Sequence, residues 1–139
     1  MDSKIIRELQ EILGKQTVLF APEDLMMYEY DGSIEVARPD VVVFPRTTQD
    51  VVRIVQLANR HQVPITGRGA GTGLSGGALA RQGGILMVFS RMNKILEIDF
   101  ENQRAVVQPG VSSVFPPTRS TSPEGNTTSR PVTWFVVMP

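Results

Sequence analysis

Cysteine is absent from the chain. That excludes disulfide frameworks, thiolate metal sites and cysteine nucleophiles. Histidine occurs once, at His61, and tryptophan once, at Trp134. A surplus of either charge is also missing, since 14 Lys and Arg face 14 Asp and Glu. Nucleic-acid binding draws on a cationic excess that releases counterions from phosphates, so this balance argues against such a partner. No long apolar run is present: Ile85–Phe89 is a short stretch, whereas a membrane-spanning helix needs ~20 residues. Charges also interrupt Met1-Asp2-Ser3-Lys4-Ile5-Ile6-Arg7-Glu8, where a secretory signal would be apolar. The expectation is a cytoplasmic protein with no transmembrane segment. Asp and Glu show no paired arrangement suited to hydrolysis or metal binding.

What remains is an ordinary globular composition. The 139 residues are 41% hydrophobic and 20% charged, enough to build a core and incompatible with a charged disordered tail. Asp2 or Ser3 can cap a first helix running to Leu13, with Ile5, Leu9, Ile12 and Leu13 on one face and Gly14 as its stop. Residues 15–40 read as irregular, apart from a short helix from Pro22 through Met27. Val41-Val42-Val43-Phe44 is the β-branched run of a strand buried on both faces. Thr47 and Asp50 have the spacing of a capping box. Behind them Val51, Ile54, Val55 and Ala58 recur at helical spacing, and Arg60 and His61 suit the helix C-terminus. Val63-Pro64-Ile65-Thr66 reads as the next strand. Strand, helix and strand form a βαβ unit, which requires parallel strands. Ile85–Phe89 is a further buried strand. Ile95–Phe100 and Arg104–Gln108 flank Glu101-Asn102-Gln103 as an antiparallel hairpin. The fold class is therefore α/β (α+β), a βαβ parallel sheet with flanking helices continuing into the hairpin. Beyond Val111 the composition changes: fifteen of residues 112–139 are Ser, Thr or Pro. Periodicity disappears until the apolar cluster Val132–Met138, and residues 112–139 are expected to be poorly ordered.

The chemical signal is Gly67-Arg68-Gly69-Ala70-Gly71-Thr72-Gly73-Leu74-Ser75-Gly76-Gly77, in which six of eleven residues are Gly. Gly in an element interior destabilises by ~0.5–1 kcal/mol relative to Ala, so the segment is a loop. Without Cβ atoms, main-chain N–H groups can converge on an anion. Thr72 and Ser75 add hydroxyl donors, and Arg68 adds a cation that either neutralises a phosphate or braces the loop. Such an assembly suits a diphosphate, and its place after a βαβ strand is where ligand loops lie. A nucleoside-triphosphate loop would end in Gly-Lys-Ser/Thr, yet no Lys lies between Lys15 and Lys94. Gly71–Gly76 has the G-x-G-x-x-G spacing, but only Ala78–Gln82 separate Gly77 from Gly83-Gly84. That is too short for the helix a Rossmann site requires.

Four ordered segments carry a family resemblance: Arg38–Val52, Val63–Thr72, Ser90-Arg91-Met92-Asn93-Lys94-Ile95 and Val107-Gln108-Pro109-Gly110-Val111. Together they resemble FAD-linked oxidases of the vanillyl-alcohol-oxidase type, whose flavin domain is also called the PCMH-type FAD-binding domain. The pattern is most similar to the glycolate oxidase flavin subunit and FAD-linked D-lactate dehydrogenase. Tyr28-Glu29-Tyr30-Asp31-Gly32-Ser33 resembles the segment preceding that domain. The resemblance covers about residues 5–111. It implies a helical lead-in at 1–37, a partial FAD-binding domain at 38–111 and a divergent tail at 112–139.

The resemblance further implies that Arg68, Gly69, Ala70, Gly71, Thr72, Gly73, Leu74, Ser75, Gly76 and Gly77 wrap the FAD pyrophosphate. The implied reaction is hydride transfer from a 2-hydroxy acid to flavin. Some relatives attach flavin through a His in this loop; the matching position here is Thr72, which implies noncovalent FAD. From Ser112 onward the family pattern is lost. The expectation is a truncated or frame-altered product, inactive alone and open to completion by partner subunits. A non-catalytic nucleotide- or phosphate-binding module and a degenerate fragment are the competing readings. Catalytic residues are not assigned. His61 is read as a helix-end cation, Tyr28 and Tyr30 as packing against the βαβ layer, and Met26, Met27, Met87 and Met92 as core filler. Asn126-Thr127-Thr128 matches a glycosylation sequon but lacks a secretory context.

Overall fold

The computed structural model describes residues 1–99, 101–102, 104–111 and 135–137. A four-stranded sheet has the order β1-β2-β4-β3, built from Val18–Leu19 (β1), Val41–Val43 (β2), Ile65–Arg68 (β3) and Ile85–Val88 (β4). β4 runs parallel to both β2 and β3, while β1 is antiparallel to β2. The expected βαβ unit is therefore present, with β4 lying between its two strands. The crossover helix α3 spans Thr48–His61, and the capping box is formed. The Asp50 N–H donates to Thr47 Oγ1 at 3.1 Å, and the Thr47 N–H donates to Asp50 Oδ2 at 3.1 Å.

Alternation along the central strands divides the core in two. Val41, Val43, Ile85 and Met87 face one side, where they meet Ile54, Leu57 and Ala58 of α3 and Ile5 and Leu9 of α1 (Ser3–Leu13). Val42, Leu86 and Val88 face the other side, under Leu25 of α2 (Pro22–Leu25), with Tyr28 and Phe44 packed against them. Burial on both faces explains why these strands read as unbroken apolar runs. Each fully buried Val, Ile or Leu contributes about 1.5–3 kcal/mol.

β3 begins two residues later than the sequence pattern indicates. Gln62 adopts a left-handed conformation (φ 55°), and the Val63 N–H bonds back to the Ala58 carbonyl at 2.9 Å. Val63 thus closes α3, and Pro64 has no N–H for a ladder. The strand extends instead through Gly67 and Arg68. β1 lies inside the region read as irregular. Met26 and Met27 are exposed, which corrects their reading as core filler: the helix gives way after Leu25 to a 3₁₀ turn whose methionines point outward. Met87 and Met92 are buried as expected.

A second sheet has the order β5-β6-β7. Ile95–Asp99 (β5) and Arg104–Val107 (β6) form the expected antiparallel hairpin, with a register shift between Ile95 and Glu97. Phe135–Val137 (β7) lies parallel to β6. The expectation of poor order over 112–139 otherwise falls outside the described residues, as does Phe100. Among the described residues, no helix is long and apolar enough to cross a membrane.

Candidate functional site

The glycine loop leaves the C-terminal end of β3, and register places its first side chain. Thr66 is opposite Leu86 and Arg68 is opposite Val88. Arg68 therefore projects from the sheet face that carries Leu86 and Val88, away from α1 and α3. That face is covered by the chain around Tyr28. The Arg68 guanidinium carbon lies 5.9 Å from the centre of the Tyr28 ring. Tyr28 meets Phe44 edge-on at 6.0 Å, and Arg91, just beyond β4, lies 5.6 Å from the Phe44 ring centre. Two cations and two aromatic rings thus line the C-terminal ends of β2, β3 and β4.

Arg68 is only 9% exposed, and its Nη1 is buried with no hydrogen-bond partner among the described residues. A buried guanidinium donor without a partner is costly. Its aromatic neighbour stabilises the charge, by ~0.5–2 kcal/mol, but supplies no lone pair in the plane of the N–H groups. The donor fits a ligand bearing anionic oxygens. The loop folds directly over it. Gly71 has φ 73°, and a Cβ there would overlap the guanidinium.

The loop is also held from a segment upstream in sequence. Asp31 Oδ1 accepts the Ser33 N–H at 2.8 Å. The Ser33 hydroxyl and N–H, with smaller help from the Ala78 N–H and the Arg68 charge, hold the Asp31 carboxyl below its usual range against opposing desolvation. Asp31 Oδ2 is buried and has no hydrogen-bond partner among the described residues. A Cβ on Gly32 would stand 2.8 Å from the Thr72 carbonyl oxygen and 2.9 Å from that of Gly73. Glu35 pairs with Arg81, whose guanidinium crowds Gly76. On the opposite flank, the Gly110 N–H donates to the Met92 carbonyl at 2.8 Å, and the Pro109 carbonyl lies 4.0 Å from where a Gly69 Cβ would be. Segments far apart in sequence thus meet around one loop.

Of the ten residues assigned from sequence, Arg68 and Gly76 are buried and Gly71 is half-buried. Gly69, Ala70, Thr72, Gly73, Leu74, Ser75 and Gly77 are exposed, Leu74 at 79%. Turns, with no helix, follow the loop before β4, which removes the Rossmann arrangement. His61 lies at the far end of β3 from the loop and approaches Glu8 at 3.4 Å, a helix-end contact as expected. Tyr28 packs as expected too, but its packing includes the site cation. The sequence reading missed Asp31, Gly32, Glu35 and Arg81 as loop supports; the Asp-Gly-Ser turn was their one local signal. Among the described residues, no cluster of His, Asp or Glu is arranged to hold a metal ion.

Comparison with known proteins agrees with this geometry. The model of the family described as "FAD binding domain" matches residues 39–113. The chain is 40% identical over 113 residues to glycolate oxidase subunit GlcD of Bacillus subtilis (strain 168), covering 80% of this chain and 24% of that protein. It is 44% identical over 115 residues to D-lactate dehydrogenase of Anaerostipes hadrus, covering 78% of this chain and 23% of that protein. Among solved structures, p-cresol methylhydroxylase with substrate bound superposes with a TM-score of 0.69 at 29% identity, over 78% of this chain and 22% of that one. Alkyldihydroxyacetonephosphate synthase shares the fold, with a TM-score of 0.67 at 23% identity, over 80% of this chain and 24% of that one. The chain spans about a quarter of the length of these curated relatives. It belongs to the FAD-binding domain family of FAD-linked oxidoreductases, with FAD as its cofactor.

Proposed function

We propose that this chain is the FAD-binding N-terminal portion of an oxidoreductase acting on a 2-hydroxy acid of the glycolate or D-lactate class. Arg68 through Gly77 hold the cofactor's diphosphate, noncovalently. The observation that carries this reading is the buried Arg68 beneath the glycine loop, whose Nη1 has no partner among the described residues. Main-chain N–H groups of the loop add neutral donors beside that charge. The Thr72 and Ser75 hydroxyls, both on exposed residues, serve as further donors. Noncovalent attachment is supported by Thr72, and by the single His lying at the other end of β3.

The chemistry the cofactor supplies when bound is acceptance of a hydride from the alcohol carbon. The work of these residues is to neutralise and position. Arg68 places a fixed charge in a site shielded by Tyr28, where it acts more strongly than in water. The relatives named as glycolate oxidase subunit and D-lactate dehydrogenase support the substrate class. Turnover is proposed to need the remaining three quarters of such a polypeptide, and the word subunit in one relative's name supports a partner chain.

Titration of the purified chain with FAD, ADP and NAD tests the reading. The expected outcome is uptake of FAD, shown by a shifted flavin spectrum, with free FAD released on denaturation. Equal binding of ADP and FAD would indicate a general nucleotide module. Absence of binding to any of the three would remove the proposal.

A further inference from the structure

We propose that Tyr28–Glu35, which lies upstream of the matched FAD-binding region, is a working part of the cofactor site, with Asp31 as the positioning residue of the glycine loop. For its ligand, the inference rests on the function proposed above. Its geometry stands separately, because three approaches from this short segment meet the loop at three places. Tyr28 carries the Arg68 guanidinium on its ring face at 5.9 Å. Gly32 lies so close to the Thr72 and Gly73 carbonyls that a Cβ would come within 2.8 and 2.9 Å of their oxygens. Glu35 reaches Arg81 beside Gly76. Asp31 closes the turn that presents Gly32, its Oδ1 accepting the Ser33 N–H at 2.8 Å.

A loop this rich in glycine has many backbone conformations open to it, and converging its amides demands outside restraint. The loop's own residues are poor restraints, because most are exposed. The matched family region starts at residue 39 and so omits the whole segment. Asp31 touches neither substrate nor cofactor in this scheme. It acts through the turn that sets Gly32 against the Thr72 and Gly73 carbonyls.

The test compares the full chain with Asp31→Ala, Asp31→Asn and, as a remote carboxylate control, Asp99→Ala. Amide hydrogen exchange is followed in protein without added flavin. Asp31→Ala should speed exchange at Ser33, whose N–H it accepts, and at Leu79, whose N–H closes the end of the loop on the Gly76 carbonyl, about tenfold, the scale of one lost hydrogen bond to a charged group. The amides of β2 and β4 should be unchanged. Asp31→Asn keeps an acceptor oxygen and should fall between Asp31→Ala and wild type, and Asp99→Ala should leave the loop as it was. FAD affinity, read by flavin fluorescence, should fall in the same order. Unchanged loop exchange in Asp31→Ala would overturn the proposal. So would loss of protection in β2 and β4 as well, since Asp31 would then support the fold and not the loop. If the wild-type chain takes up no FAD, the proposed function fails, while the exchange result still decides the role of Asp31.

Discussion

The guanidinium of Arg68 rests on the ring of Tyr28, 5.9 Å from its centre, and leaves Nη1 buried without a partner among the described residues. A charge held by an aromatic face remains available to an anion, since Nη1 is taken up by no group among the described residues. The arrangement favours ligand binding at some expense of unliganded stability.

Replacing that charge should separate the two properties. Arg68→Met retains apolar bulk and removes the orphaned donor. FAD affinity is expected to fall by tenfold or more, the scale of a lost charged hydrogen bond of about 1.5–3 kcal/mol. Stability of the unliganded chain should hold or rise. Urea denaturation alongside flavin titration checks both, and a parallel loss of stability would count against the reading.

Gly71 and Gly73 should behave differently although they are two residues apart. Gly71→Ala meets a left-handed backbone and the Arg68 guanidinium, and should destabilise by about 1–2 kcal/mol. A Cβ on Gly73 meets nothing within 4 Å among the described residues, so Gly73→Ala should stay within ~0.5 kcal/mol. Any loss of FAD affinity in Gly73→Ala is then a direct effect on the cradle. Thermal melts of both variants make the comparison.

Thr47→Ala removes half of the capping box at the start of α3. The expected loss is ~1 kcal/mol of stability, as for other N-caps. FAD affinity should be unaffected, because the cap lies at the start of the crossover helix, outside the contacts that hold the loop. Chemical denaturation and flavin titration give the two numbers.

Acid should loosen the loop before it unfolds the sheet. Asp31 is held below its usual range chiefly by the Ser33 hydroxyl and N–H, and Asp99 by the Asn102 side chain and N–H. A carboxyl whose folded pKa is depressed contributes stability in full above its unfolded value, near 4. That contribution fades as pH falls from there through the lower folded value. Amide exchange at Ser33, whose N–H bonds Asp31, should therefore rise below about pH 4, and Asp31→Asn should flatten that rise.

Much of the fold was legible because its signals are local. The capping box, the helical spacing of Ile54 and Ala58, and the unbroken Val41–Val43 run each point to one element. Strand order was not legible, since nothing in Ile85–Val88 states that β4 inserts between β2 and β3. β1 has two residues and no pattern to read. Gly67 and Arg68 carry loop composition yet belong to β3, because pairing with Met87 and Val88 overrides their propensity. The loop itself was visible as composition. Its supports were not, because Asp31, Gly32 and Glu35 act through contacts some forty residues away in sequence.

β5 ends the second sheet with Ile95, Leu96 and Ile98 each about half exposed. A net charge of zero gives two approaching copies no long-range repulsion. Greasy side chains on a strand with one open edge then make colloidal behaviour the practical limit: concentrating the chain should turn solutions cloudy sooner than heating dilute ones does.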